Sequence, residues 1–222
     1  MFFFPKRTCE VRKSSVGCTQ CSVPGIIEGT AVRAASGWRS IEKFESTDQW
    51  EVLSGGHRRA SNLGSRIVWR DTVSCPANVR PLIVPEGALG NDEHVWVQQE
   101  TRLVFDSAPF TDLVDATHVS IKAADLVGIR GIEIADEPPT AVRVYQVIFD
   151  DAEAVQIAGG LWQLCAAPCN SMDLLSDDSW DLSRVGRNTV RHLTADEAVM
   201  FFGALDAALV HHKNRPIRDM FF

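Results

Sequence analysis

Residues 141–149 read AVRVYQVIF, and this stretch decides the fold class. It is rich in β-branched and aromatic residues and stops at Asp150 and Asp151. Such side chains favour a pleated, half-buried strand. We therefore expect a strand here that lies near the centre of a sheet.

Similar short apolar runs occur on both sides of this stretch, with turn residues between them. They are residues 67–73, 79–84, 95–105, 119–123 and 129–134. Residues 155–157 and 161–164, joined through two glycines, predict a tight hairpin. The spacing favours a mainly β fold, an antiparallel sandwich or barrel, over alternating strands and helices.

One helix is predicted near the end of the chain. Thr194 and Glu197 form a capping-box pattern, in which a hydroxyl and a carboxylate each bond a backbone amide at the helix start. The residues spaced three and four apart after this cap predict an amphipathic helix that covers a sheet face. They are Val199, Phe202, Leu205, Ala208 and Leu209.

The first third of the chain differs in composition from the rest. Serine, glycine and proline punctuate residues 1–65 at short intervals, so we expect an irregular, basic N-terminal segment there. Residues 66–193 are then the β-rich core, and residues 194–222 are the C-terminal helix and tail.

The charge pattern bears on partners and location. The net charge is −7, although residues 1–40 are basic, so a nucleic-acid partner is possible but is not favoured. The opening apolar run, Phe2 to Phe4, is too short for a signal peptide or a membrane span. We expect a protein that stays in the cytoplasm or is assembled in a virion.

A cysteine cluster is the strongest local signal for chemistry. Cys18 and Cys21 stand two residues apart, Cys9 precedes them, and nearby lysines and arginines would stabilise their thiolates. Together with Cys75 they form a candidate site for zinc or an iron-sulfur cluster. Unbound thiols and disulfides remain alternatives.

No nucleophile elbow, phosphate-binding loop or dinucleotide fingerprint occurs, and the six histidines have no metalloprotease spacing. The motifs therefore favour a protein that is not an enzyme.

The chain ends are aromatic, and bulky apolar groups at termini need a surface on which to dock. We interpret them as assembly arms, whose residues are Phe2, Phe3, Phe4, Phe221 and Phe222. The resulting hypothesis is a non-catalytic structural protein that self-associates in a homo-oligomeric particle, such as a bacteriophage capsid, connector or tail. The alternative is a metal-stapled binding or regulatory module that contacts nucleic acid or an acidic partner.

Overall fold

A computed structural model of the chain describes residues 24–70, 75–108, 115–136, 141–165, 184–185 and 188–213. The strands in chain order are β1 Ile26–Ile27, β2 Ala31–Ala34, β3 Gly37–Ser40, β4 Gln49–Glu51, β5 His57–Arg59, β6 Asn62–Trp69, β7 Leu82–Val84, β8 Val95–Val97, β9 Arg102–Asp106, β10 His118–Lys122, β11 Glu133–Ile134, β12 Val142–Ile148, β13 Glu153–Gln156, β14 Trp162–Cys165, β15 Arg184–Val185 and β16 Asn188–Leu193. The α-helix α1 spans Ala195–Lys213. The short 3-10 helices are Ile41–Lys43, Ala123–Leu126, Ile129–Gly131 and Ala158–Gly160.

The described strands form four sheets. Their strand orders are β1-β12-β6, β13-β14-β9-β10-β16-β15, β11-β7-β8 and β3-β2-β4-β5. The strand β12 lies between two partners, which confirms the prediction drawn from residues 141–149. The predicted hairpin is present as β13 and β14, which pair antiparallel. Within the described part of the chain the pairing is antiparallel except between β10 and β16.

The prediction of a mainly β fold with one C-terminal helix is therefore confirmed. Some boundaries differ. The run 95–105 is two strands, β8 and β9, because a turn interrupts it. The first half of the run 129–134 is a 3-10 helix, and the short β11 follows it. Residues 24–65 also contain more regular secondary structure than their frequent glycine, serine and proline residues predict, because the glycine-rich turns there connect short strands of two sheets.

The main core lies between the sheets and is built around Trp50. This side chain is fully buried, and its ring packs against Phe44 with the ring centroids 4.2 Å apart and against Phe149 at 6.3 Å. Val52 and Val155 form an isolated backbone bridge nearby. The small N-terminal sheet and the six-stranded sheet therefore share one apolar interior.

The helix α1 begins as its capping box predicts. The backbone amide of Glu197 donates to Thr194 Oγ1 at 3.4 Å, and the Thr194 amide donates to Glu197 Oε2 at 2.9 Å. The buried face matches the predicted one in part: Phe202 is 3% exposed and Leu205 packs against the core. Phe201 and Phe202 pack on Phe105, whereas Val199 is 58% exposed.

The prediction was wrong for Val199, because the neighbouring Phe201 is larger and buries more apolar area. Arg130 reinforces the observed packing: its guanidinium lies over the Phe202 ring, 5.0 Å from the centroid, and pairs with Asp206.

Among the helices in the described ranges, none combines the length and apolarity needed to cross a bilayer. The proposed assembly arms, Phe2 to Phe4 together with Phe221 and Phe222, lie outside the described residues and remain a prediction.

Candidate functional site

A buried polar turn connects β8 to β9. It comprises residues 98–101, and the Thr101 amide closes it by donating to the Gln98 carbonyl at 3.0 Å. Gln98 and Thr101 are completely buried, and Gln99 is 8% exposed. Buried polar groups are costly unless they are hydrogen-bonded, so a turn of this kind calls for dedicated partners.

The two glutamine side chains bind the chain that leads into β7. Gln98 Nε2 donates to the Val79 carbonyl at 3.3 Å, and Gln99 Nε2 donates to the Arg80 carbonyl at 2.7 Å. Gln98 Oε1 is buried and has no hydrogen-bond partner among the described residues. This amide oxygen can therefore accept a hydrogen bond from a further donor.

Thr101 holds the backbone at Gly25. Its Oγ1 accepts a hydrogen bond from the Gly25 amide at 3.3 Å and donates one to the Gly25 carbonyl at 3.2 Å. A side chain would not fit at Gly25, because a Cβ there would lie 2.9 Å from the Tyr145 carbonyl oxygen and 3.2 Å from Val144 Cβ. The segment that follows residues 1–23 is thus fixed between β12 and the polar turn. We call Gly25, Gln98 and Thr101 the Gly25 site.

A second buried polar group lies at the start of β13. Glu153 is 4% exposed, accepts a hydrogen bond from Ser54 Oγ at 2.9 Å and lies 3.8 Å from Arg58 Nε. Its burial raises the pKa of this carboxyl, and the Ser54 bond and the Arg58 charge oppose the rise only in part.

Cys165 pairs with Glu153 across the β13–β14 ladder. Burial, with a smaller contribution from the Glu153 charge, raises the pKa of this thiol to about 12. The thiol therefore stays protonated near neutral pH and is a poor nucleophile.

Of the four predicted metal ligands, only Cys75 falls within the described residues. It is 1% exposed, packs with Val79 and Val142, and directs its Sγ toward the Pro76 carbonyl oxygen at 3.9 Å. The described ranges contain no group of three or more metal-binding side chains. Cys9, Cys18 and Cys21 lie outside these ranges, so the metal site remains a prediction.

Two histidines lie on paired strands of the six-stranded sheet. His192 on β16 hydrogen-bonds through Nδ1 with Ser120, its register partner on β10. His118 lies at the other end of β10, opposite Asp106 on β9. Burial lowers the pKa of His118, and the Asp106 carboxylate offsets the shift only in part.

His118 therefore makes stability depend on pH. Its pKa is lower in the folded protein than the ordinary histidine value of 6.5, so the unfolded chain binds the proton more readily. The contribution is complete above that pH and is lost as the pH falls toward the folded pKa. Urea denaturation at several pH values between 7.5 and 5 should show a shallower loss of stability in His118→Asn. The exposed His57 provides a control, because His57→Asn should retain the steep slope; equal slopes in all three proteins would contradict the expectation.

Sequence reasoning did not find the Gly25 site. Residues 98–101, whose sequence is QQET, contain no nucleophile elbow, phosphate-binding loop or dinucleotide fingerprint. The available signal was the polar break itself, since Gln98, Gln99 and Glu100 interrupt the apolar run 95–105.

Comparison with known proteins adds a family. The Hint domain matches residues 24–164, which is more than half of the chain and begins beside Gly25. No curated protein matches the chain. Among solved structures, a bacterial intein-like domain from Clostridium thermocellum is 16% identical with a TM-score of 0.42, and the similarity covers 65% of this chain and 99% of that one. A splice-inactive variant of the AceL NrdHF class 3 split intein is 12% identical with a TM-score of 0.32, covering 66% and 100%.

The family match overturns both hypotheses drawn from the sequence. The expectation of a non-catalytic virion protein rested on missing motifs and aromatic termini, neither of which is specific to any class of protein. The expectation of a metal-stapled module rested on a cysteine cluster that lies before the matched region. Both interpretations were wrong: the chain belongs to the Hint domain family.

Proposed function

We propose that this chain is an autoprocessing domain that cleaves its own backbone just before the matched region. Membership of the Hint family supports a reaction of the intein type, in which a protein acts on its own peptide bonds. The observation that carries the proposal is the pair of hydrogen bonds at Gly25, whose amide donates to Thr101 Oγ1 and whose carbonyl accepts from it. They hold the segment that follows the cleavage point in a buried, fixed position.

The nucleophile we assign is Cys21, three residues before Pro24. Its thiol is the one nearest in sequence to the Gly25 site, and Lys13 and Arg12 are among the basic residues that favour a thiolate. The buried Cys165 is unsuited to the role because its high pKa keeps it protonated.

The reaction balances as an acyl shift followed by transfer. The Cys21 thiol first loses its proton to solvent, and the thiolate sulfur then attacks the carbonyl carbon of Gln20. The Gln20–Cys21 C–N bond breaks and a C–S thioester forms, while the new α-amine of Cys21 takes up a proton from solvent. An added thiol or hydroxylamine then takes the acyl group, restores the Cys21 thiol and releases residues 1–20.

Thr101 and Gln98 act as positioning residues in this scheme. They fix the chain and exclude water, and a dry, ordered site strengthens every polar interaction within it. His118 is distant from Thr101, because the opposite end of β10 pairs with Arg102 and four residues of strand span about 13 Å. The scheme accordingly assigns the attack to a pre-formed thiolate.

The test is cleavage of the full chain by hydroxylamine at neutral pH, followed by intact-mass measurement. We expect release of residues 1–20 with a hydroxamate at Gln20, and no release from Cys21→Ala. Cys18→Ala is the matched control, since it removes a thiol three residues away and should leave cleavage intact. An uncleaved wild-type chain, or cleavage that persists in Cys21→Ala, would refute the proposal.

Cytoplasmic location and self-association also remain proposals. The six cysteines of the sequence suit a reducing compartment and support the first, and the aromatic side chains of Phe2 to Phe4, Phe221 and Phe222 support the second because such groups need a surface on which to dock. Light scattering over a range of protein concentrations tests self-association, which requires a mass that rises with concentration. Fractionation of expressing cells tests the location, which requires the chain in the soluble cytoplasmic fraction.

A further inference from the structure

A cavity of about 370 Å³ lies beside the Gly25 site. It opens between β1 and β8, each of which is the last strand of its sheet among the described residues. Ile27 and Val142 contribute apolar walls, and the ring of Trp96 is half-buried against the cavity. A strand that follows directly from residues 1–23 thus forms one side of this space.

The charged groups of the cavity are acidic. Glu28 and Glu93 line it, and none of the described lining residues is a lysine or an arginine. Glu28 Oε1 lies 3.1 Å from Arg143 Nε, while the Glu93 side chain is exposed at the rim. A long cationic side chain suits such a space, because its methylenes cover apolar walls while its charged end meets carboxylates and an indole ring.

We propose that this cavity binds a lysine side chain from the chain's own residues 1–23. The segment carries Lys6, Arg7, Arg12 and Lys13 against a single acid, Glu10, so its charge complements that of the cavity. The inference rests on the proposed function, because the cavity would recognise the same segment that the cleavage reaction releases.

Connectivity supports this occupant over a separate molecule. Lys13 lies eleven residues before Pro24, and a chain of that length reaches at most about 40 Å when extended. A short tether holds its end at an effective concentration on the order of millimolar. Weak contacts between exposed charges therefore suffice to populate the bound state.

Zero-length carbodiimide crosslinking tests the contact in the full chain carrying Cys21→Ala, which keeps residues 1–20 attached. Peptide mass spectrometry should find amide links from Glu28 or Glu93 to Lys6 or Lys13. The ion pair between Lys122 Nζ and Glu100 Oε2, at 2.7 Å, provides an internal positive control.

Variants separate a bound segment from random encounter. Glu93→Gln should reduce the yield of the crosslink at Glu28 about fivefold. This is the change expected when an exposed ion pair is lost whose strength is near the upper end of the range for such pairs. Glu86→Gln, which removes an exposed acid outside the lining, should leave that link unchanged.

Mixing isotopically light and heavy chains identifies the source of the segment. Links within one chain support the proposal, and links formed only between chains overturn it in favour of a second copy. Absence of any link at Glu28 and Glu93, while the Glu100–Lys122 link forms, also overturns it. If the crosslinks are absent but hydroxylamine still releases residues 1–20, the binding site is refuted and the proposed function stands. If the crosslinks form but hydroxylamine releases nothing, the proposed function is refuted and the binding site stands.

Discussion

Thr101→Val is expected to lower the free energy of unfolding by about 2 to 3 kcal/mol and to slow the release of residues 1–20. The substitution preserves shape but removes the oxygen that accepts from the Gly25 amide and donates to the Gly25 carbonyl. Because Thr101 is fully buried, water cannot replace either bond without opening the site. Urea denaturation measures the stability change, and the hydroxylamine assay measures the rate.

Thr101→Ser is the control for this prediction. It retains the hydroxyl and loses only one buried methyl group, which is worth about 1 kcal/mol. Serine should therefore retain most of the cleavage rate. If valine preserves both stability and rate while serine does not, the methyl group matters and the hydrogen bonds do not.

Trp50→Ala is expected to cost more, about 3 to 5 kcal/mol, because it leaves a large cavity in the main core. The indole is fully enclosed and contacts the rings of Phe44 and Phe149, which join the N-terminal sheet to β12 and its neighbours. A thermal or urea transition shifted to much milder conditions would show the effect.

Trp50→Phe separates ring packing from the polar indole N–H. The Trp50 Nε1 atom is buried and has no hydrogen-bond partner among the described residues, so phenylalanine removes a group that is costly to bury. We expect this variant to lose less than half as much stability as Trp50→Ala. If Trp50→Phe and Trp50→Ala lose the same stability, the phenylalanine ring does not replace the packing of the larger indole.

Local patterns were sufficient to predict some elements. β12 was predictable because its β-branched side chains favour a strand wherever it packs, and the start of α1 was predictable because Thr194 and Glu197 bond each other's backbone amides within one turn. The buried face of α1 was predictable only in part: Phe202 is buried as expected, but Phe201 rather than Val199 completes the contact with Phe105 once the sheet is in place.

The Gly25 site depends on contacts that no local pattern encodes. Thr101 and Gly25 are 76 residues apart, and their bonds exist only because two sheets bring them together. Gln98 and Gln99 would ordinarily be placed on the surface, since amide side chains are mostly exposed. Their carbonyl partners at Val79 and Arg80 become available only in the folded chain.

The ladder between β10 and β16, the one parallel pairing among the described strands, has a consequence for the order in which the nascent polypeptide can mature. β16 begins seventy residues after β10 does and lies beyond the part of the chain that the Hint family covers. Until the ribosome has delivered it, the backbone amides and carbonyls on that side of β10 have no ladder partner, and such an open edge invites pairing with a neighbouring polypeptide. A truncation after Cys165 should for this reason aggregate during expression even though it contains the whole matched domain.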